Sequence, residues 1–347
     1  MRFVMVGAGA IGGTIGGNLA RVGHDVLFIE PWTEYRQAIT AKGLVVRGVS
    51  GLHTVNVPAV GRAEEVTFTD DDIVFMAVKS YHTGEAASAL RAVTSLELPV
   101  FCAQNGVRNE AMVARSFRNT HGVMLLIGAK VLTPGEVIHT SWGPVGMGRF
   151  PEGLDDTDLT VATALERAGF KVYTSGAIMR SKWNKLLLNL NNASHGLTGL
   201  SGQEARHHPV MRQILTAVFE EGVRVLQGAA VPFEPPPGEP PIDERIREMR
   251  SPDYVPPKIP EDEELKGRPS LWQDLYHKRG RAEDDFFNGE IARLAKQAGR
   301  SAPINAKLLE LCTAVAEAKE PPGKYTPEDL KQLLGISPQE DAMPTFR

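Results

Sequence analysis

A glycine pattern at the start of the chain restricts the fold more than anything that follows. The apolar run 3–6 leads straight into Gly7-Ala8-Gly9-Ala10-Ile11-Gly12, and Gly16 follows four residues later. An apolar run that breaks into glycines and continues as an amphipathic segment (Ile11, Ile15, Leu19) reads as strand, tight turn and helix. In such a turn Gly7 permits the bend, Gly9 lets backbone approach a pyrophosphate, and Gly12 lets the helix pack on the strand. The helix start offers unpaired N–H groups and the positive end of a dipole, both suited to phosphate. A Gly-x-Gly-x-x-Gly string alone is weak. Here the strand before it, the helix after it and a second strand at 25–29 ending in Glu30 supply the missing context. The reading is a dinucleotide-binding turn, with Gly7, Gly9, Ala10, Ile11 and Gly12 against the cofactor.

At 347 residues the chain is long enough for about two domains. Its 38 basic and 42 acidic residues leave a net charge of −4, which excludes the basic footprint of a nucleic-acid binder. Cys102 and Cys312 stand far apart in no metal-ligand spacing. They read as small apolar fillers in a reducing compartment, and no metal is expected. No cationic stretch precedes the first apolar run, which is too short for a signal peptide or a membrane span. The expectation is a soluble, cytoplasmic protein with no membrane contact.

The pattern of elements divides the chain. Over 1–175, strand-like runs (43–47, 55–57, 72–78, 98–102, 124–132, 137–138, 145–147) alternate with helical pieces, as in an α/β domain with a doubly wound, Rossmann-type parallel sheet. The continuous apolar run 72–78 suits a strand buried on both faces. From 176 to 347 the spacing is helical, at 179–192, 209–228, 283–299 and 306–318, and predicts an all-helical second domain for substrate and dimerisation. Ten of the 24 prolines crowd into 231–260. They forbid a regular helix and read as an extended surface loop within an insertion of about 231–268, with an arm over the cleft or onto a neighbouring subunit as the alternative. The stretch 320–347 reads as a short helix opened by Thr326-Pro-Glu-Asp and then a loose tail.

Four groups of residues can carry chemistry. Glu30 ends the second strand, where a carboxylate can accept from adenosine ribose hydroxyls and repel a 2′-phosphate; this favours NAD over NADP. Lys79 and Asn105 follow the ends of two buried strands, where ligands bind on open α/β sheets. In Lys182-Trp-Asn-Lys185-Leu-Leu-Leu-Asn189-Leu-Asn-Asn192, the residues Lys185, Asn189 and Asn192 fall at i, i+4 and i+7 and share one helix face. A face of one lysine and two amides on a crowded helix needs partners, and a substrate with carboxylate and carbonyl oxygens supplies them. Ser270 and Glu283 belong to a fourth, acidic group that by itself reads as an ordinary helix start.

Taken in order, these pieces resemble the ketopantoate reductase family. The resemblance rests on Gly7 to Gly13, Gly23-His-Asp-Val26, Val78-Lys79, Gln104-Asn105-Gly106 and Pro134-Gly-Glu-Val-Ile-His139. It continues with Trp183-x-Lys185-Leu-x-x-Asn189, Ser270-x-x-Gln-Asp274, and Glu283 five residues before Asn288-Gly289. It covers most of 1–318. The resemblance implies a Rossmann domain joined to a helical domain, an active site in the cleft between them, and reduction of a 2-keto acid by NAD or NADP. It implies Lys185 as the general acid, with Glu283 supporting it. Asn105, Asn189, Asn192 and Ser270 would contact substrate, and Lys79 and Asn105 would lie at the cofactor. A free lysine, with a pKa of ~10.4, is charged and can donate, and burial would bring it closer to working pH.

Ala193 stands where the family often has a second asparagine, and Pro31 where it carries an arginine for the NADP phosphate. The first, with the long proline-rich insertion, points toward a 2-keto acid other than ketopantoate, beside ketopantoate itself; the second, with Glu30, points toward NAD. The alternatives are a related 2-hydroxy acid or alcohol dehydrogenase, or a dinucleotide sensor without catalysis. A homodimer is expected.

Overall fold

The helix behind the glycine turn, α1 (Ala10–Arg21), lies between two sheets, and glycines thin it on both sides. A Cβ on Gly16 would come within 2.6 Å of Phe28 in one sheet; on Gly13 or Gly17 it would come within 2.6 Å of Val137 or 2.5 Å of Val46 in the other. The pairs 12/16 and 13/17 each recur at i, i+4, so each makes one flat stripe along the helix.

The computed structural model describes residues 1–337. In chain order the strands are β1 (Arg2–Val6), β2 (Asp25–Ile29), β3 (Leu44–Gly48), β4 (His53–Val55), β5 (Ala59–Val60), β6 (Asp72–Met76), β7 (Val100–Cys102), β8 (Thr120–Leu125), β9 (Gly128–Lys130), β10 (Glu136–Ser141), β11 (Pro144–Arg149) and β12 (Lys171–Thr174). The larger sheet has the order β12-β11-β8-β7-β6-β1-β2-β5. It is parallel from β5 to β8, and β11 turns antiparallel against β8. Reading from β5, the order of the six parallel strands matches the doubly wound dinucleotide-binding sheet expected from the sequence.

Strand alternation explains the unbroken apolar runs. Phe3, Met5, Val26, Phe28, Ile73 and Phe75 join one core, while Val4, Val6, Leu27, Ile29, Val74 and Met76 join the core on the opposite face. Successive side chains point to opposite faces, so a strand covered on both sides must be apolar at every position.

The second sheet, β4-β3-β10-β9, is not legible in the sequence. The expected strand over 124–132 divides into β8 in the first sheet and β9 in the second. No local signal marks where a chain leaves one sheet for another.

Two compact units emerge. One contains Met1–Asn189, Ala230–Glu244 and Lys258–Arg268; the other contains Leu190–Ala229, Arg245–Pro257 and the chain from Pro269 on. In the second unit, helix Pro303–Glu317 packs against Asn192–Thr198, Pro209–Gly228 and Asn288–Gln297. Its N-terminus is held by the buried Glu221 carboxylate, which accepts from Ile304 N at 3.1 Å and Asn305 N at 2.7 Å. An acid there suits the helix dipole.

Two expectations need correction. The helix expected over 179–192 ends at Asn189, and Asn192–Thr198 forms a separate helix. The Leu190 carbonyl, free to continue a helix, instead accepts from Asn288 Nδ2 at 3.1 Å. The proline-rich stretch is not all extended, since its proline-free run Ile242–Arg250 is helical. Ion pairs pin the stretch: within the second unit Arg250 pairs with Glu220 at 2.7 Å, and within the first Glu264 grips Arg47 at 2.5 and 2.9 Å. The helix expected after Thr326 is present as Pro327–Leu333, with a capping box. The tail read after it lies mostly outside the described residues.

Candidate active site

The glycine turn has the form that a phosphate requires. Gly7 has φ +100°, and a Cβ there would sit 3.1 Å from the Ala77 carbonyl at the end of the neighbouring strand. A Cβ on Gly12 would lie 2.0 Å from the Gly7 carbonyl oxygen. Gly9 differs: the space its Cβ would enter is open, and as the N-cap of α1 it leaves the first-turn N–H groups without a side-chain cap. Ala10 and Ile11 form that first turn. Open space in front of an uncapped helix start fits a pyrophosphate.

Glu30 is 8% exposed, with Oε2 accepting from Ala8 N at 2.8 Å and Oε1 from Trp32 N at 2.9 Å. The carboxylate therefore braces the glycine turn from the end of β2. Arg36 donates to the Glu30 carbonyl at 2.7 Å.

Lys79 and Asn105 are half-buried at the ends of β6 and β7. A buried polar lattice joins their loops. Gln104 Nε2 donates to Val78 O at 3.1 Å and to Thr83 Oγ1 at 2.6 Å, and Thr83 donates to Asn109 Oδ1 at 2.8 Å. Asn109 Nδ2 returns to Asn105 O at 2.8 Å, and Ser80 Oγ donates to the same carbonyl at 3.2 Å. Each bond costs little to make and much to lose, because the groups are buried.

Helix Ile178–Asn189 carries Lys185 and Asn189 and lies on β8, where a Cβ on Gly122 would come within 3.1 Å of Ile178. Lys185 is half-buried. Asn189 is 3% exposed, and among the described residues its Nδ2 has no hydrogen-bond partner, which leaves a buried donor open to a water or a ligand. Asn192 heads the next helix, in the second unit, so the shared face reduces to Lys185 and Asn189. In the second unit Ser270 and Glu283 come together across thirteen residues, the hydroxyl donating to the carboxylate at 2.7 Å.

Sequence reasoning missed Lys182 and Glu110. Lys182 is 3% and Glu110 0% exposed in side-chain terms; they form an ion pair, and Lys182 also donates to Gln104 O at 3.0 Å and Cys102 O at 3.4 Å. Burial pushes the Glu110 carboxyl up, against the pull of Lys182. Partners 72 residues apart leave no local signal. Burial also pushes the Cys102 thiol well up, which suits an inert filler.

Several motif residues serve the fold. Asn288 holds the Leu190 carbonyl and, at 2.9 Å, Asn305 Oδ1. Asp274 pairs with Arg279 at 2.7 Å. Among the described residues one group could offer a cation three ligands, His121 with Asp155 and Asp158. Its bonds are already those of a helix cap: Asp155 accepts from Thr157 N and Asp158 N at 2.9 and 3.1 Å, and His121 meets Asp158 at 2.8 Å. Among the described residues no helix is long and apolar enough to cross a membrane.

Comparison with known proteins agrees with this geometry. Residues 3–152 match the family described as ketopantoate reductase PanE/ApbA, and residues 177–316 match its C-terminal part. The 2-dehydropantoate 2-reductase of Pyrococcus abyssi is 29% identical over 311 residues, spanning 89% of this chain and 95% of that protein. The crystal structure of a PanE/ApbA family ketopantoate reductase from Ralstonia eutropha JMP134 is 27% identical with a TM-score of 0.75, covering 92% of this chain and 99% of that one. D-mandelate dehydrogenase, in a ternary structure with NADH and anilino(oxo)acetate, shares the fold at a TM-score of 0.76 and 22% identity, covering 92% and 99% of the two chains. With both halves matched in order, the chain belongs to the ketopantoate reductase family.

Proposed function

We propose that this protein reduces the ketone of a 2-keto acid to a 2-hydroxy acid with a nicotinamide dinucleotide, and that Lys185 gives the proton. Family membership supports the reaction class. The observation that carries the residue assignment is the pairing of Lys185 with Asn189, whose buried amide nitrogen lacks a partner. When bound, the cofactor supplies hydride to the carbonyl carbon.

The chain's own groups do the rest. Gly7, Gly9, Ala10, Ile11 and Gly12 hold the pyrophosphate, Glu30 the adenosine ribose, and Lys79 and Asn105 the nicotinamide side. The Lys185 ammonium donates to the ketone oxygen, and its charge stabilises an oxyanion that exists only in the transition state. Asn189 Nδ2 donates to a substrate oxygen. Asn192 and the Ser270 hydroxyl, oriented by Glu283, are assigned to substrate oxygens on the motif resemblance.

Two measurements test this. A panel of ketopantoate, other aliphatic 2-keto acids and aryl 2-keto acids, each with NADH and NADPH, should give turnover with at least one acid and a higher kcat/KM with NADH. A preference for NADPH would overturn the reading of Glu30; dinucleotide binding without turnover would favour a sensor. Lys185→Met should lower kcat by roughly 10²–10⁴-fold while NADH binding persists. Wild-type turnover in that variant would refute its role.

A further inference from the structure

We infer that the Lys182–Glu110 pair is a positioning device that sets helix Ile178–Asn189 against the loop bearing Asn105. The inference rests on the reductase reading above, because it concerns how Lys185 and Asn105 are aligned.

The pair is a poor choice for stability alone. Both groups are removed from water, and a buried ion pair commonly contributes no more than apolar residues of the same size. Direction is what it adds. An ammonium has three donors, and those of Lys182 meet the Glu110 carboxylate, the Gln104 carbonyl and the Cys102 carbonyl. Three acceptors on one donor group restrict both the rotation of the helix and its sliding along its axis. The lysine stem passes over Gly122 of β8, where a Cβ would lie 3.6 Å from Lys182 Cδ, in ordinary van der Waals contact.

Each acceptor leads to the site. Cys102 ends β7, and Gln104 directly precedes Asn105. Glu110 sits in helix Asn109–Val113, whose first residue holds the Asn105 carbonyl at 2.8 Å. On the lysine side, Lys185 lies three residues further along the helix and Asn189 seven, which returns Asn189 to nearly the same face as Lys182. The chain of contacts therefore runs from Asn105 through Asn109 and Glu110 to Lys182, and along a rigid helix to Lys185 and Asn189. All of it lies within the first unit. Lys182 and Glu110 are positioning residues; neither is assigned a contact with substrate.

The test uses Glu110→Gln, which keeps shape and leaves Lys182 its two carbonyls, together with Lys182→Met and Lys182→Arg in the full-length protein. Steady-state kinetics, NADH titration and amide hydrogen exchange are measured on each. Glu110→Gln should lower kcat by roughly a hundredfold, the cost of about 1 Å of misplacement, with the NADH dissociation constant unchanged. Lys182→Arg should recover part of the loss. Exchange should rise together in 102–106 and 178–189, though only one of those segments neighbours Glu110 in sequence. A change in melting temperature with kcat intact well below it would overturn the inference, as would exchange confined to 109–113. If wild-type protein reduces no 2-keto acid, the reductase reading fails, and coupled exchange still decides whether the pair locks the two segments. If Lys182→Met does not fold, the near-isosteric Glu110→Gln carries the decision.

Discussion

The glycine turn and the lysine helix, two parts of the first unit, are built by opposite means. At the turn, the local form follows from leaving side chains out. Gly12 lets two backbones meet, and Gly9 keeps the space in front of a helix start clear. Around helix Ile178–Asn189, polar and charged side chains lie where little water reaches, and Lys182 is tied to two carbonyls and a carboxylate from a distant part of the chain. The first kind of site fails sterically, by addition. The second fails electrostatically, by subtraction.

That contrast can be broken or sharpened by substitution, starting with the largest effect on stability. Gly12→Ala forces a Cβ against a fixed carbonyl and should cost about 3 kcal/mol or more, measured by urea unfolding; an unchanged midpoint would mean that the turn yields. Thr83→Val conserves shape and removes the hydroxyl that accepts from Gln104 and donates to Asn109. It should cost about 1–3 kcal/mol and loosen both loops, read by the same unfolding experiment; no loss would mean that the lattice is ornamental.

A smaller effect concerns pH. His139 is fully buried on β10, with Nε2 at 3.1 Å from Ser141 O, and burial pushes its pKa down to about 4. The unfolded chain takes up that proton below about 6.5. Its contribution to stability is thus complete above the unfolded value and is lost as pH falls from about 6.5 toward about 4. The melting temperature should fall across that window, and His139→Gln should flatten the slope. The smallest effect on stability belongs to Gly9→Ala, where the added methyl meets no atom within 4 Å. Its melting temperature should match wild type while NADH affinity drops. Intact affinity would remove the pyrophosphate from this position.

How far the candidate site is legible in the sequence differs by residue. Gly7, Gly9 and Gly12 announce themselves because their roles depend on backbone a few residues away. Lys79 and Asn105 stand out as candidates because the apolar runs of β6 and β7 stop just before them. Ser270 and Glu283 came from the family pattern alone, and the structure joins them. Their spacing, taken without that pattern, read as a plain helix start. The face shared by Lys185, Asn189 and Asn192 was extrapolated one turn too far, since periodicity carries no mark for a helix stopped by an asparagine from elsewhere in the chain. His139 and Asn288 belong to family motifs, yet their bonds are structural: one ring in an aromatic pocket with Trp142 and one amide on a helix-terminal carbonyl.

Sequence by itself determined the parallel sheet, the glycine turn and the helical character of the second half. These depend on periods of two and near four residues and on glycine and proline, all of which act over a few bonds. Tertiary structure alone decided the second sheet over α1, the end of the helix at Asn189 and the partnership of Lys182 with Glu110. Those depend on which groups meet after burial, and a buried charge accepts any partner that removes its desolvation cost, however far away along the chain.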